Sequence, residues 1–114
     1  MPYLSITTNT ILGEDTRARL LHQTSARVAA LLAKSENYVM VSLHHSPSML
    51  FGGSSDPLAY LELKSIALPE ERSGEMSAAL CELVLEVTGI PKERVYIEFS
   101  NAARHLWGWN AKTF

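Results

Sequence analysis

Pro2 follows the initiator Met1 directly. A small second residue lets the methionine be trimmed, and trimming leaves a proline with a free secondary amine. That nitrogen is a base the backbone supplies without a side chain. An ordinary α-amino group titrates near roughly 8, and apolar burial lowers that value by disfavouring the charged form. Such an amine could be neutral at physiological pH and act as a general base. An amine acylated by Met1 could not. Met-Pro is also a common chain start, and taken alone it carries no chemistry.

Other residues could join it. Lys34 stands just past the end of a helical pattern. There it can complement a helix C-terminus or hold a substrate carboxylate as a point charge. In a parallel β-α-β unit, strand starts and helix ends share one end of the layer, so Lys34 can lie near Pro2. Ser65-Ile66 ends a strand pattern, where a backbone N–H could bind a carboxylate and the isoleucine could wall a pocket. Tyr96 offers a ring face and a hydroxyl. Trp107-Gly108-Trp109 is either a core plug or a pocket wall. Phe51-Gly52-Gly53-Ser54-Ser55 lacks the Gly-Lys-Ser/Thr of a phosphate loop and reads as a structural turn. His44 and His45 are neighbours in a strand and point to opposite faces. No spacing reads as a zinc site, and no Gly-x-Ser-x-Gly elbow supports a serine hydrolase.

The elements that must position these residues follow from the apolar periodicity. Pro2 to Thr8 alternates as a strand, with Leu4 and Ile6 opposite Tyr3, Ser5 and Thr7. Gly13-Glu14-Asp15-Thr16 has helix-capping chemistry, and a helix to about Leu32 buries Leu21, Val28, Leu31 and Leu32. Tyr38 to His45 is a second strand, Ser46 to Pro57 a loop, and Leu58 to Ala67 a third strand. Pro69-Glu70-Glu71 opens a second helix with an inner stripe of Met76, Leu80, Leu83, Val84 and Val87, stopped by Gly89. Val95 to Ser100 is a fourth strand, followed by an irregular aromatic tail.

Pro2 to Val39 and Ala59 to Tyr96 span equal intervals, which suggests two β-α-β units. Each crossover makes a parallel pair. Together they predict an α+β fold: one four-stranded mixed sheet with both helices on one face. The other face, carrying Tyr3, Met40 and Tyr60, is too apolar for water alone and predicts burial in a closed oligomer.

The bulk composition sets outer limits. The 114 residues, 46% hydrophobic and 19% charged, fit one globular domain over 1–114. The net charge of −2, without a basic stripe, argues against a nucleic-acid partner. The first residues lack the charge and apolar run of a signal peptide, and no stretch is long enough to span a bilayer. Cys81 is the one cysteine and falls in an apolar helical pattern, so it reads as buried and inert.

The ordered set closely resembles the macrophage migration inhibitory factor and D-dopachrome tautomerase family. It comprises Pro2, Lys34, Phe51-Gly52-Gly53-Ser54-Ser55, Ser65-Ile66, Arg94-Val95-Tyr96-Ile97, and Gly108-Trp109-Asn110 through Thr113-Phe114. The resemblance covers nearly the whole chain. It implies the tautomerase fold, a homotrimer, and active sites between neighbouring subunits. It also implies that processed Pro2 is the catalytic base for keto–enol exchange of an aromatic 2-oxo acid of the phenylpyruvate or dopachrome type. Lys34 and the Ile66 backbone, beside Ser65, would hold the carboxylate. Tyr38, Tyr96, Trp109 and Phe114 would surround the ring, and no metal or organic cofactor is required.

The chain departs from the family's mammalian cytokine at several positions. Leu58-Ala59-Tyr60-Leu61 replaces a Cys-x-x-Cys, so a thiol-oxidoreductase activity should be absent. Glu98 replaces an asparagine at the pocket edge and would repel an anionic ligand or select another ring substituent. Trp107 replaces an aliphatic residue and would narrow the mouth. Arg104 and His105 replace small residues. Alternatives to the isomerase are a cytokine-like ligand for a cell-surface receptor with an idle pocket, or hydration or decarboxylation of a 2-oxo acid. The expected location is cytoplasmic, and the family's cytokine also leaves cells without a signal peptide.

Overall fold

Alternating burial along the first strand decides the layering: Pro2, Leu4, Ile6 and Thr8 are buried, while Tyr3, Ser5 and Thr7 are only half-buried. The computed structural model describes all residues, Met1–Phe114. Its elements run β1 (Pro2–Thr8), α1 (Glu14–Leu32), β2 (Met40–His45), β3 (Ala59–Ile66), α2 (Ser73–Thr88) and β4 (Val95–Ala102), then the short β5 (Gly108–Trp109) and β6 (Lys112–Thr113). The main sheet has the order β2-β1-β3-β4. β1 and β2 are parallel, β3 and β4 are parallel, and the two pairs meet antiparallel at β1 and β3. This is the expected pair of β-α-β units in one mixed sheet.

Leu4 and Ile6 of β1 and Leu61 and Leu63 of β3 form one cluster with Leu20 and Val28 of α1 and Met76, Leu80, Leu83 and Val84 of α2. The cluster holds 17 buried residues on the helix-bearing side of the sheet. Burying an aliphatic side chain contributes about 1.5–3 kcal/mol, so this layer is the main favourable term in folding.

Several boundaries differ from expectation, each for a local reason. Leu20, not Leu21, belongs to the buried stripe of α1, in phase with Thr24, Val28 and Leu31. Gly13 is the N-cap, and no side chain caps that end. Tyr38 lies in a 3-10 turn, Glu36–Tyr38, rather than in a strand. The Ser35 hydroxyl accepts from the Asn37 N–H at 3.2 Å and holds that turn. Pro69-Glu70-Glu71 likewise leads into a 3-10 turn, Glu70–Arg72, before α2 begins. The aromatic tail is not irregular. After a 3-10 turn at Arg104–Leu106 it forms the β5–β6 hairpin. Its loop residues Asn110 and Ala111 both have positive φ, 52° and 62°, as tight hairpin turns require.

The uncovered sheet face is arranged in three rows: Met40–Tyr3–Lys64–Ser100, Ser42–Ser5–Glu62–Glu98 and His44–Thr7–Tyr60–Tyr96. It is more polar than its two tyrosines suggested. The Tyr3 hydroxyl bonds Ser42 Oγ at 2.6 Å, and Tyr60 donates to Glu98 Oε2 at 2.6 Å. Met40 and Tyr96 nonetheless remain largely exposed.

Candidate active site

Pro2 starts β1, a place where the missing N–H leaves no ladder bond unmade. The sheet topology gathers three chain segments there. β3 runs antiparallel, so its end brings Ser65 opposite Pro2. β2 runs parallel, so its start brings Met40 opposite Tyr3. The end of α1 falls on the same side. Ala33 adopts the left-handed conformation at φ 52°, and the Ala33 and Lys34 N–H groups donate to Ala30 and Ala29 carbonyls at 3.3 and 3.0 Å. This double closure turns the chain at Lys34.

The C-terminal hairpin completes a cleft of about 410 Å³ over Met1 and Pro2. Its walls are Tyr3, Tyr38, Met40, Lys64, Trp107 and Trp109. Tyr38 meets Trp109 edge to face, with ring centroids 5.7 Å apart at 89°. Trp109 stacks on Phe114 at 6.0 Å and 13°. The Phe114 N–H donates to the Trp107 carbonyl at 3.2 Å, tying the chain end to the start of the hairpin. The cleft therefore has a flat aromatic wall beside a buried proline.

Its electrostatics favour a neutral amine. Burial holds the Met1 ammonium below the ordinary α-amino range, and the positive charges of Lys34 and then Arg104 push the same way. Both cations thus lie within electrostatic reach of the chain start.

Of the expected site residues, Pro2, Tyr38, Trp107 and Trp109 line this cleft, with Phe114 stacked behind Trp109. Lys34 does not line the cleft, and only its charge reaches the chain start. Ser65 lies opposite Pro2, but its hydroxyl is buried and donates to the Ile66 carbonyl at 2.9 Å, so it offers no side-chain donor to a ligand. The Ile66 side chain is buried as well. Tyr96 and Glu98 do not join Pro2 within one chain. The row through Pro2 and Ser65 continues to Asn101. At about 3.3 Å per residue, Glu98 lies about 10 Å along β4 from that row and Tyr96 about 17 Å. Tyr96 instead packs on Phe51, centroids 4.5 Å apart, in a second apolar cleft of about 340 Å³. One chain thus presents two separate clefts at opposite ends of its sheet.

Met40 and Lys64 line the cleft but were not among the expected residues. Strand parity places them on the uncovered face, but only the strand register brings them level with Tyr3.

The Gly52-Gly53 turn is structural, as expected. Both glycines have positive φ, and Phe51 and Ser54 bridge across them. The Arg94 guanidinium donates to the carbonyls of Phe51, Ser54 and Asp56 at 2.7, 3.0 and 2.9 Å and lies over the Phe51 ring. This pins the turn to the start of β4.

The family model described as macrophage migration inhibitory factor (MIF) matches residues 1–114. A macrophage migration inhibitory factor homolog of Trichinella spiralis is 37% identical over 115 residues, covering 100% of both chains. A homolog of Brugia malayi is 36% identical, covering 100% of this chain and 99% of its own. The crystal structure of a macrophage migration inhibitory factor homologue from Prochlorococcus marinus is 39% identical. It covers 98% of each chain at a TM-score of 0.90.

Proposed function

The chain belongs to the macrophage migration inhibitory factor family, and on that premise we propose that it is an isomerase, a keto–enol tautomerase of aromatic 2-oxo acids of the phenylpyruvate or dopachrome type. The observation that carries this reading is the environment of the chain start. Pro2 is buried beneath an aromatic wall, and burial, Lys34 and Arg104 disfavour a charged amine at the adjoining Met1. Removal of Met1 moves the free amine one residue inward, to Pro2.

The chemistry then follows. The neutral Pro2 nitrogen takes a proton from the carbon between the ring and the carbonyl. The released electron pair moves to the carbonyl oxygen, which is protonated from water at the cleft mouth to give the enol. The reverse returns the proton to carbon from the prolinium. Lys34 and the Ile66 backbone hold the carboxylate, and the positive charge nearby lowers the energy of the developing enolate. Tyr38 and Trp109 orient the ring.

In a homotrimer the cleft at Tyr96 would complete this arrangement, with a neighbour's Tyr96 facing the Pro2 cleft. Both outer strands, β2 and β4, have one unpaired edge for such contacts. A monomeric mass in solution at micromolar concentration would refute the trimer.

The deciding experiment is phenylpyruvate turnover by processed wild-type protein and by Pro2→Gly. Loss of the general base predicts a fall on the order of 10²–10⁴-fold. Unchanged turnover removes Pro2 as the base. Intact-mass measurement establishes in each case that Met1 is gone.

A further inference from the structure

We propose that Lys64 is a substrate-binding residue of the Pro2 cleft, one that holds the acid group of an aromatic ligand and makes the cleft prefer acids to their neutral esters. The inference rests on the tautomerase reading above for its substrate class and adds a specificity-determining side chain to it.

Strand geometry delivers Lys64 to the cleft. Ser65 is the register partner of Pro2, so Lys64 falls opposite Tyr3. Successive strand side chains point to opposite faces. Ser65 therefore turns inward and is buried, while Lys64 stands on the uncovered face beside Tyr3, about 5 Å away across the ladder. Met40 is the partner of Tyr3 on its other side. All three residues of this row line the cleft, and Tyr38, Trp107 and Trp109 complete its walls.

Lys64 is the one charged side chain among the lining residues. The Tyr3 hydroxyl is engaged with Ser42 Oγ at 2.6 Å. An aromatic acid thus meets ring and aliphatic surfaces on most sides and a single cation for its carboxylate. A carboxylate brought out of water without a partner is costly, so the position of the ammonium decides which ligands fit.

The ammonium is available for that contact. Its one ion-pair partner is Glu62, with Nζ 3.8 Å from Oε2, beyond hydrogen-bond reach. The two side chains are 48% and 35% exposed, so the pair holds the lysine weakly. Glu62 does not line the cleft and presents no charge to a ligand there. An ammonium has three donors, so it can bind a ligand carboxylate without giving up Glu62. Lys34 does not line the cleft. Of the two lysines, Lys64 is the one that a ligand over Pro2 touches.

The test needs no turnover. Trp107 and Trp109 are the two tryptophans of the chain, and both line the cleft, so quenching of their fluorescence reports binding. Processed full-length protein is titrated with 3-phenylpropanoate, which has no ketone and cannot tautomerise, and with its methyl ester. The wild type should bind the acid about fivefold more tightly than the ester, the upper range for a half-exposed charge pair. Lys64→Met keeps the stem and removes the charge, and should bring that ratio to about one. Lys64→Arg should preserve it. The ratio within each variant cancels any general damage to the fold. Equal wild-type affinity for acid and ester overturns the proposal. So does a preference that survives in Lys64→Met and disappears in Lys34→Met, which assigns the acid group to Lys34. Retained phenylpyruvate turnover in Pro2→Gly would instead refute the tautomerase reading and leave this binding comparison intact.

Discussion

Pro2 and Ser65 are register partners across the antiparallel β1–β3 ladder. The first residue of one β-α-β unit is therefore seated by the last turn-out of the third strand, in the other unit. The nitrogen proposed as base belongs to a strand at the centre of the sheet, with neighbours on both sides, and not to a fraying terminus. The aromatic hairpin that covers it comes from the far end of the chain.

The activity should depend on pH with an early midpoint. Burial, Lys34 and Arg104 all disfavour a charged amine at Met1, and the amine freed one residue inward at Pro2 is expected to feel the same burial and charges, becoming neutral at lower pH than an ordinary terminus near roughly 8. Accordingly kcat/KM should rise with pH through a midpoint below that value and then level off. Arg104→Ala removes a positive neighbour, so the midpoint should move upward. A pH–rate profile with a wild-type midpoint at or above the ordinary value would contradict this account.

Tyr60 should resist ionisation. Its hydroxyl donates to Glu98, and Glu62 and Glu98 add negative charge that repels a phenolate, so its titration lies far above the usual tyrosine range. In an ultraviolet titration, one of the four tyrosines should stay protonated beyond the ordinary midpoint near roughly 10. Glu98→Gln should lower that midpoint. All four tyrosines titrating together would show that the hydrogen bond does not persist in solution.

Core truncation should separate sharply from surface truncation. Leu63 is 0% exposed on β3, between β1 and β4. Leu63→Ala should cost about 2–5 kcal/mol, read by urea unfolding at fixed protein concentration. Ile11 is 84% exposed, and Ile11→Ala should stay within about 0.5 kcal/mol of wild type. Similar losses for both would mean that the assembled protein buries Ile11.

Two helix ends should respond in opposite directions. Gly89 closes α2 at φ 79°, and a Cβ there would meet no atom within 4 Å. Gly89→Ala therefore carries only backbone strain, about 1–2 kcal/mol destabilising. Ala33 already bears that strain at the end of α1. Ala33→Gly should relieve it and stabilise by up to about 1 kcal/mol, less the greater freedom glycine has when unfolded. Denaturation midpoints of the two variants, one lowered and one raised, are the readout.

Local pattern alone determined the four main strands, both helices, the Gly89 stop and the two-unit topology. Strand alternation and helical periodicity are written into neighbouring residues, and parallel crossovers have one common hand. Pro2, Lys34 and the aromatic tail were legible as chemistry for the same reason: their types are unusual at those places. Only the tertiary structure decided which of them meet. The β1–β3 and β1–β2 registers set Lys64 and Met40 beside the chain start, and the β3–β4 register put Tyr96 and Glu98 in distant rows, while the buried Ser65 hydroxyl turned to the Ile66 carbonyl. The β5–β6 hairpin escaped the sequence pattern because its turn is built from Asn110 and Ala111, without the glycine that usually marks positive φ. Register and long-range closure depend on how distant segments pack, and no window of adjacent residues contains that information.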